Sequence, residues 1–137
     1  MLILCYPNLN AQTSPFLNVN HHTIVHATIN GKGPYSFLLD TGSQSTLIDP
    51  NIADGLAAAG TVDVSGIGAE HKSVKWVAVS VGVAGQSGNV RAIIYDLSKT
   101  QGPGDARVYG IIGQDFLEHF TVTIDYAHNS LTLMEAK

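Results

Sequence analysis

Short apolar runs rich in valine, isoleucine and threonine recur along the chain, broken by glycine and asparagine, and helical periodicity is scarce. This pattern predicts an all-β domain. Apolar positions alternate through Leu17 and Val19 and reappear at Ile24, predicting one strand that runs to a turn at Asn30-Gly31-Lys32-Gly33-Pro34. Tyr35 to Asp40 then predicts a second strand, hairpinned to the first. Phe37, Leu38 and Leu39 show no alternation, as expected of a strand covered on both faces. From Thr61 to Gly85 the pattern reads strand, glycine turn at Gly66-Ile67-Gly68, strand, with Val77, Val79, Val81 and Val83 on one face. Residues 89–97 predict a further strand and 98–106 an irregular surface loop rich in glycine. One or two short helices are expected: a short helical turn after Asp49, with Asp49 as its cap, Pro50 near its start and Gly60 at its close, and a helix-like run from Gln114 to His119. A last hairpin turns at Ala127-His128-Asn129.

Length and charge narrow the picture. The 137 residues amount to one domain, read as a leading segment 1–15 and a domain 16–137. Only 13% of residues are charged and the formal net charge is -4, so the basic footprint of a nucleic-acid binder is missing. No apolar run approaches the ~18 residues of a membrane span. Cys5 is alone and forms no internal disulfide. The start, MLILCYPNLNAQ, reads either as the remainder of a secretion signal cut near Ala11, without a basic n-region, or as an ordinary first strand or frayed terminus. The former tilts location towards periplasmic or secreted over cytoplasmic without fixing it.

Candidate chemistry concentrates in Asp40-Thr41-Gly42-Ser43, directly after the apolar strand. A carboxylate activates water as a general base when a rigid strand presents it, and Gly42 lets the backbone turn tightly beside it. Hydroxyls at Thr41 and Ser43 are short enough to fix the orientation of the acid. Ile111 and Ile112 read as core packing for that loop, and Gly113 allows a second segment to pass close behind it. Other chemistries fail on the residues. His22 and His26 share a strand face while His21 points away, and no carboxylate or cysteine accompanies them, so no metal is expected. TGSQST lacks the second glycine of a G-x-S-x-G elbow, and GIGAEH fails the dinucleotide fingerprint, so no cofactor is expected.

FLLDTGSQSTLID and YGIIGQDFLEHFTVTIDYAHNSLTL, in that order and separation, resemble the retropepsin-like aspartic proteases, the single-lobe class related to retroviral proteases and to one lobe of pepsin. Within the class they are similar to bacterial aspartyl-protease-like domains. The resemblance covers roughly Asn18 to Leu133. It implies a closed or partly open β-barrel of the acid-protease type with a flap hairpin and one or two short helices. It also implies an aspartic endopeptidase acting on peptide or protein substrates through a water activated by Asp40. One chain supplies one such acid, so the resemblance implies a homodimer in which the two Asp40 carboxylates share a proton. Aspartic proteases are themselves the standard example of such a pair.

By the same resemblance Thr41 ties the two active loops together, Ser43 supports the carboxylate network, and Gly66, Ile67 and Gly68 form the flap tip. Trp76 on the descending strand is read as a packed aromatic over a subsite wall. Viral members pair an acid after the DTG with an arginine after the second glycine. Here Gln44 and Gln114 stand in those places, so a dimer stabilised in the viral manner is not expected, and the longer C-terminal hairpin points to a different dimer sheet. Asp115 is read as capping and anchoring the short helix. Two alternatives stand beside the protease: a retropepsin-fold binding or assembly module that no longer cleaves, and one half of a heteromeric enzyme.

Overall fold

A computed structural model describes residues 11–66, 68–100 and 107–136. The first hairpin is built by β2 (Leu17–Val19) and β3 (His22–Ile29), paired Val19↔His22. Asn20 and His21 both take positive φ, 52° and 67°, the mirror-type turn whose twist suits flanking strands. The single strand expected from Leu17 through Ile24 is therefore two strands. Its apolar positions continue across a turn that asparagine tolerates better than most residues. Asn30-Gly31, at 52° and 78°, repeats the device between β3 and β4 (Lys32–Leu39), so the turn is two residues long and the chain is back in strand at Lys32. β5 is the short Leu47–Ile48, followed by β6 (Gly60–Gly66), the long β7 (Gly68–Val83) and β8 (Gln86–Ile94). β9 (Gly110–Ile112), α1 (Gln114–Leu117), β10 (Phe120–Asp125) and β11 (Ser130–Glu135) complete the domain.

The fold is all-β, with one helical turn among the described residues. The large sheet runs β2-β3-β4-β9-β5-β8-β7-β6, and β7 pairs a second time with β3 through Ala27↔Val83, so the sheet curls back on itself. A smaller sheet is formed by β1 (Ala11–Pro15), β11 and β10. Ala11 to Pro15, in the leading segment, lie in register with Met134 to Ser130. The predicted alternation along β7 is present: Val77, Val79, Val81 and Val83 are all buried, alongside Phe37, Ile48, Ile112, Phe116, Leu131 and Leu133. Burying each such side chain stabilises by about 1.5–3 kcal/mol. Phe37 is buried, but Leu38 and Leu39 are only half-buried, so β4 is covered less completely than its apolar run predicted.

The helix expected after Asp49 is reduced to turns over 50–55. The Asp49 carboxylate does accept from the Asn51 N–H at 2.9 Å, and the Ala53 N–H reaches the Asp49 carbonyl at 3.2 Å. Gly55, at φ 81°, then turns the chain away after one turn. Among the described residues no helix is long and apolar enough to cross a membrane.

The functional consequence lies at the middle of the large sheet. β4 and β9 are parallel neighbours, Phe37↔Gly110 to Leu39↔Ile112. Their C-terminal ends, Asp40 and Gly113, therefore emerge side by side.

Candidate active site

The Asp40 N–H donates to the Ile112 carbonyl at 3.0 Å, continuing the β4–β9 ladder and fixing the acid to the sheet. The chain then folds around the side chain: the Gly42 N–H donates to Asp40 Oδ1 at 2.9 Å, and the Ser43 N–H to the Asp40 carbonyl at 3.2 Å. A Cβ at Gly42 would stand 3.3 Å from Oδ1, so the glycine leaves room for the carboxylate. Asp40 is exposed, and its other carboxylate oxygen receives no hydrogen bond among the described residues.

Behind this loop the start of α1 acts as a clamp. The Gln114 and Asp115 N–H groups donate to the Ser43 and Gln44 carbonyls at 2.7 and 3.1 Å, and Gln114 Nε2 donates to the Thr41 carbonyl at 2.7 Å. The buried Thr46 donates twice to the Asp115 carboxylate, N–H at 2.9 Å and hydroxyl at 2.7 Å, while its hydroxyl oxygen accepts from the Gly113 N–H at 3.2 Å. A Cβ on Gly113 would fall 2.5 Å from the Ser45 carbonyl oxygen and 2.9 Å from that of Ser43. Glycine is thus required there by close backbone approach.

The geometry revises several assignments. Ser43 turns its hydroxyl to the Ser45 carbonyl at 2.8 Å and stiffens the loop; the Asp40 carboxylate is held by Gly42 instead. Ile112 is core, but Ile111 is half-buried and faces the cleft, because successive residues of β9 point to opposite sides. Gly113, not Asp115, is the N-cap residue of α1, and it offers no side-chain cap. Asp115 anchors the loop through Thr46 as well as bonding the Phe116 N–H at 2.9 Å. Gly66 and Gly68 pair at the end of the β6–β7 hairpin, and Ile67 lies outside the described residues. Trp76 packs with the Arg91 guanidinium 5.0 Å above its ring and does not line the cleft. His21, His22 and His26 are exposed, and no group of three metal-ligating side chains occurs among the described residues.

Asp40 borders two hollows. The larger, about 830 Å³, is walled by Leu47, Ile93, Leu97 and Ile111, with Gln44 and Tyr95 at its polar margin and Val62 and Asp63 of β6 contributing from the hairpin. The smaller, about 370 Å³, also reaches Asp40 and is lined by His21, His22, Leu38, Leu39, Thr41 and Tyr126. Thr46 lies inside the first motif but 69 residues from Asp115, and the cleft residues Asp63 and Tyr95 lie well along the chain from Asp40, so a sequence reading does not bring these partners together. The one local signal was for Thr46: a threonine in an apolar run beside a loop rich in hydroxyls.

The comparisons agree with this geometry. A search of the curated proteins returns no match. Among solved structures, a retropepsin-like aspartic protease from Rickettsia conorii superposes with a TM-score of 0.58 at 19% identity, over 90% of each chain, which is a likeness of fold. The family model described as aspartyl protease matches residues 25–116, a span that contains the Asp40 loop, both strands flanking it and the start of α1. The chain therefore belongs to the aspartyl protease family and has the retropepsin-like fold.

Proposed function

We propose that the protein is an aspartic endopeptidase whose active site is completed by a second copy of the same chain, with one Asp40 from each. The observation that carries this reading is the state of Asp40: it is bound rigidly through its backbone, exposed to a large cleft, and, among the described residues, stabilised through one carboxylate oxygen only. An acid with spare acceptor capacity at the end of a fixed strand is suited to take a proton from water.

The second copy is supported by the other hollow. Leu38 and Leu39 are half-buried there, Tyr126 and the nearby Leu17 are each 59% exposed, and the exposed Thr41 sits on the same side. A twofold mate docked on this side would bring its own Asp40 loop against this one.

In the proposed dyad two like carboxylates share one proton, since neighbouring like charges resist joint ionisation. A water between them attacks the scissile carbonyl carbon and loses a proton to the ionised carboxylate, while the protonated one delivers its proton to the carbonyl oxygen. The resulting diol collapses as the nitrogen takes up a proton and the C–N bond breaks, leaving a carboxylic acid and an amine. Water is the nucleophile, so no acyl-enzyme forms. The β6–β7 hairpin acts as a flap over an extended peptide.

The test is cleavage of a diverse peptide library by purified protein from acidic to neutral pH, with sedimentation in parallel. Cleavage with a bell-shaped pH profile and a dimer is expected. Subunit mixing with Asp40→Asn should poison activity, because each mixed dimer lacks one acid. A fully active monomer overturns the shared site, and a library left uncut overturns the protease reading in favour of a binding module.

A further inference from the structure

Resting on the protease reading, we infer that Asp63 makes the cleft select substrates with a cationic side chain, lysine or arginine, at one position near the scissile bond. Asp63 lies on β6 directly opposite Ser73 of β7. Residues opposite one another in an antiparallel pair share a face. Ser73 belongs to the same alternating set as the buried Val77, Val79 and Val81, so Asp63 lies on the face of the hairpin that continues into the core and borders the cleft.

Three observations converge on a positively charged ligand group. The side chain of Asp63 is exposed and, among residues 11–63, 73–100 and 107–136, has no hydrogen-bond or ion-pair partner, unlike Asp49 and Asp115. Among the described residues lining the cleft there is no lysine, arginine or histidine, and the two ionisable carboxylates are Asp40 and Asp63. Lys75, opposite Thr61 on the same hairpin face and two pairs further from the tip, neither pairs with Asp63 nor lines the cleft.

The remaining wall completes the match. Leu47, Ile93, Leu97 and Ile111 supply apolar surface below the acid. Lysine and arginine carry a charge at the end of a methylene stem, so the stem covers such a wall while the head reaches a carboxylate at the rim. A substrate acid at that position meets two carboxylates and is disfavoured, and the protein's net charge of -4 adds to that bias. Asp40 is committed to the reacting water, which leaves Asp63 as the specificity-determining group.

The experiment profiles cleavage of a peptide library that varies lysine, arginine, methionine, glutamine and glutamate at each position, using the full-length protein at low and high salt. Lysine or arginine should be preferred over methionine at one position by roughly three- to tenfold in kcat/KM at low salt, and less at high salt, as for a partly screened single charge pair. Asp63→Asn should bring that ratio near one, and Asp63→Lys should turn it towards glutamate. Each ratio is internal to one preparation, so an overall loss of activity does not distort it. Cleavage with no charge preference, or a preference that survives in Asp63→Asn, overturns this assignment alone. No cleavage of any peptide by the unaltered protein overturns the protease reading and this inference with it.

Discussion

Leu38-Leu39-Asp40 at the end of β4 and Leu47-Ile48-Asp49 at the end of β5 are almost the same phrase: two aliphatic residues and an aspartate followed by a turn. Their carboxylates have opposite surroundings. Asp49 is wholly buried and accepts from the Asn51 backbone and side-chain amides at 2.9 and 2.8 Å, the Leu97 N–H at 3.0 Å and Arg107 at 3.2 Å. Asp40 is exposed and its carboxylate accepts from one N–H among the described residues. An acid with every lone pair engaged and a cation beside it holds loops together and has nothing left for a substrate. An acid fixed by its backbone but left open at its side chain retains acceptor capacity for water.

Exchanging the roles of these two acids is the sharpest way to break the comparison. Asp40→Asn should lower peptide cleavage by at least about 10²–10⁴-fold, the usual share of general acid–base catalysis, with a thermal midpoint close to that of the unaltered protein. A large loss of stability would mean that Asp40 is structural after all. Asp49→Ala should do the reverse, costing about 3 kcal/mol because it leaves the Leu97 N–H and the Arg107 charge without their acceptor; urea unfolding reads it directly.

Gly113→Ala sharpens the same contrast from the clamp side. The added methyl meets the Ser45 and Ser43 carbonyls, which are backbone and cannot rotate away, so a loss of about 1–3 kcal/mol is expected. Because those carbonyls belong to the Asp40 loop, kcat should fall along with stability. An unchanged kcat would show that the loop tolerates displacement.

The smallest effect concerns an acid outside both regions. The His128 side chain and N–H hydrogen-bond Asp125 in the turn between β10 and β11 and hold its carboxyl below the ordinary value of 3.8. A carboxyl lowered by folding stabilises the folded state above its ordinary range, and that contribution is lost as pH falls through the folded value. The difference in melting temperature between the unaltered protein and Asp125→Asn should therefore be small at neutral pH and vanish in strong acid, where both carry a neutral side chain. A difference that persists there would assign the effect to packing.

What was legible in the sequence follows from locality. The β character, the buried valine stripe of β7, the final hairpin and the helical turn at Gln114 depend on period-two patterning and turn residues, which short segments carry by themselves. The break at Asn20-His21 was missed because the apolar pattern runs across it while only the backbone reverses. Likewise, the helix after Asp49 had its cap and its proline but stopped after one turn, since nucleation is costly and Gly55 takes the chain out of register.

For the site, the sequence by itself determined that Asp40 ends a rigid strand, that small residues surround it, and that one chain carries one such motif. These are properties of composition and order, and they brought the aspartyl protease resemblance with them. Only the tertiary structure decided which acid stays open and which is saturated. Leu38-Leu39-Asp40 and Leu47-Ile48-Asp49 look alike until Leu97 and Arg107 arrive from 48 and 58 residues away to engage one of them. The Thr46–Asp115 clamp and the position of Asp63 at the cleft rim were settled in the same way. Hydrogen-bond satisfaction and the walls of a cleft are long-range quantities, created when distant strands pair, and no local pattern encodes them.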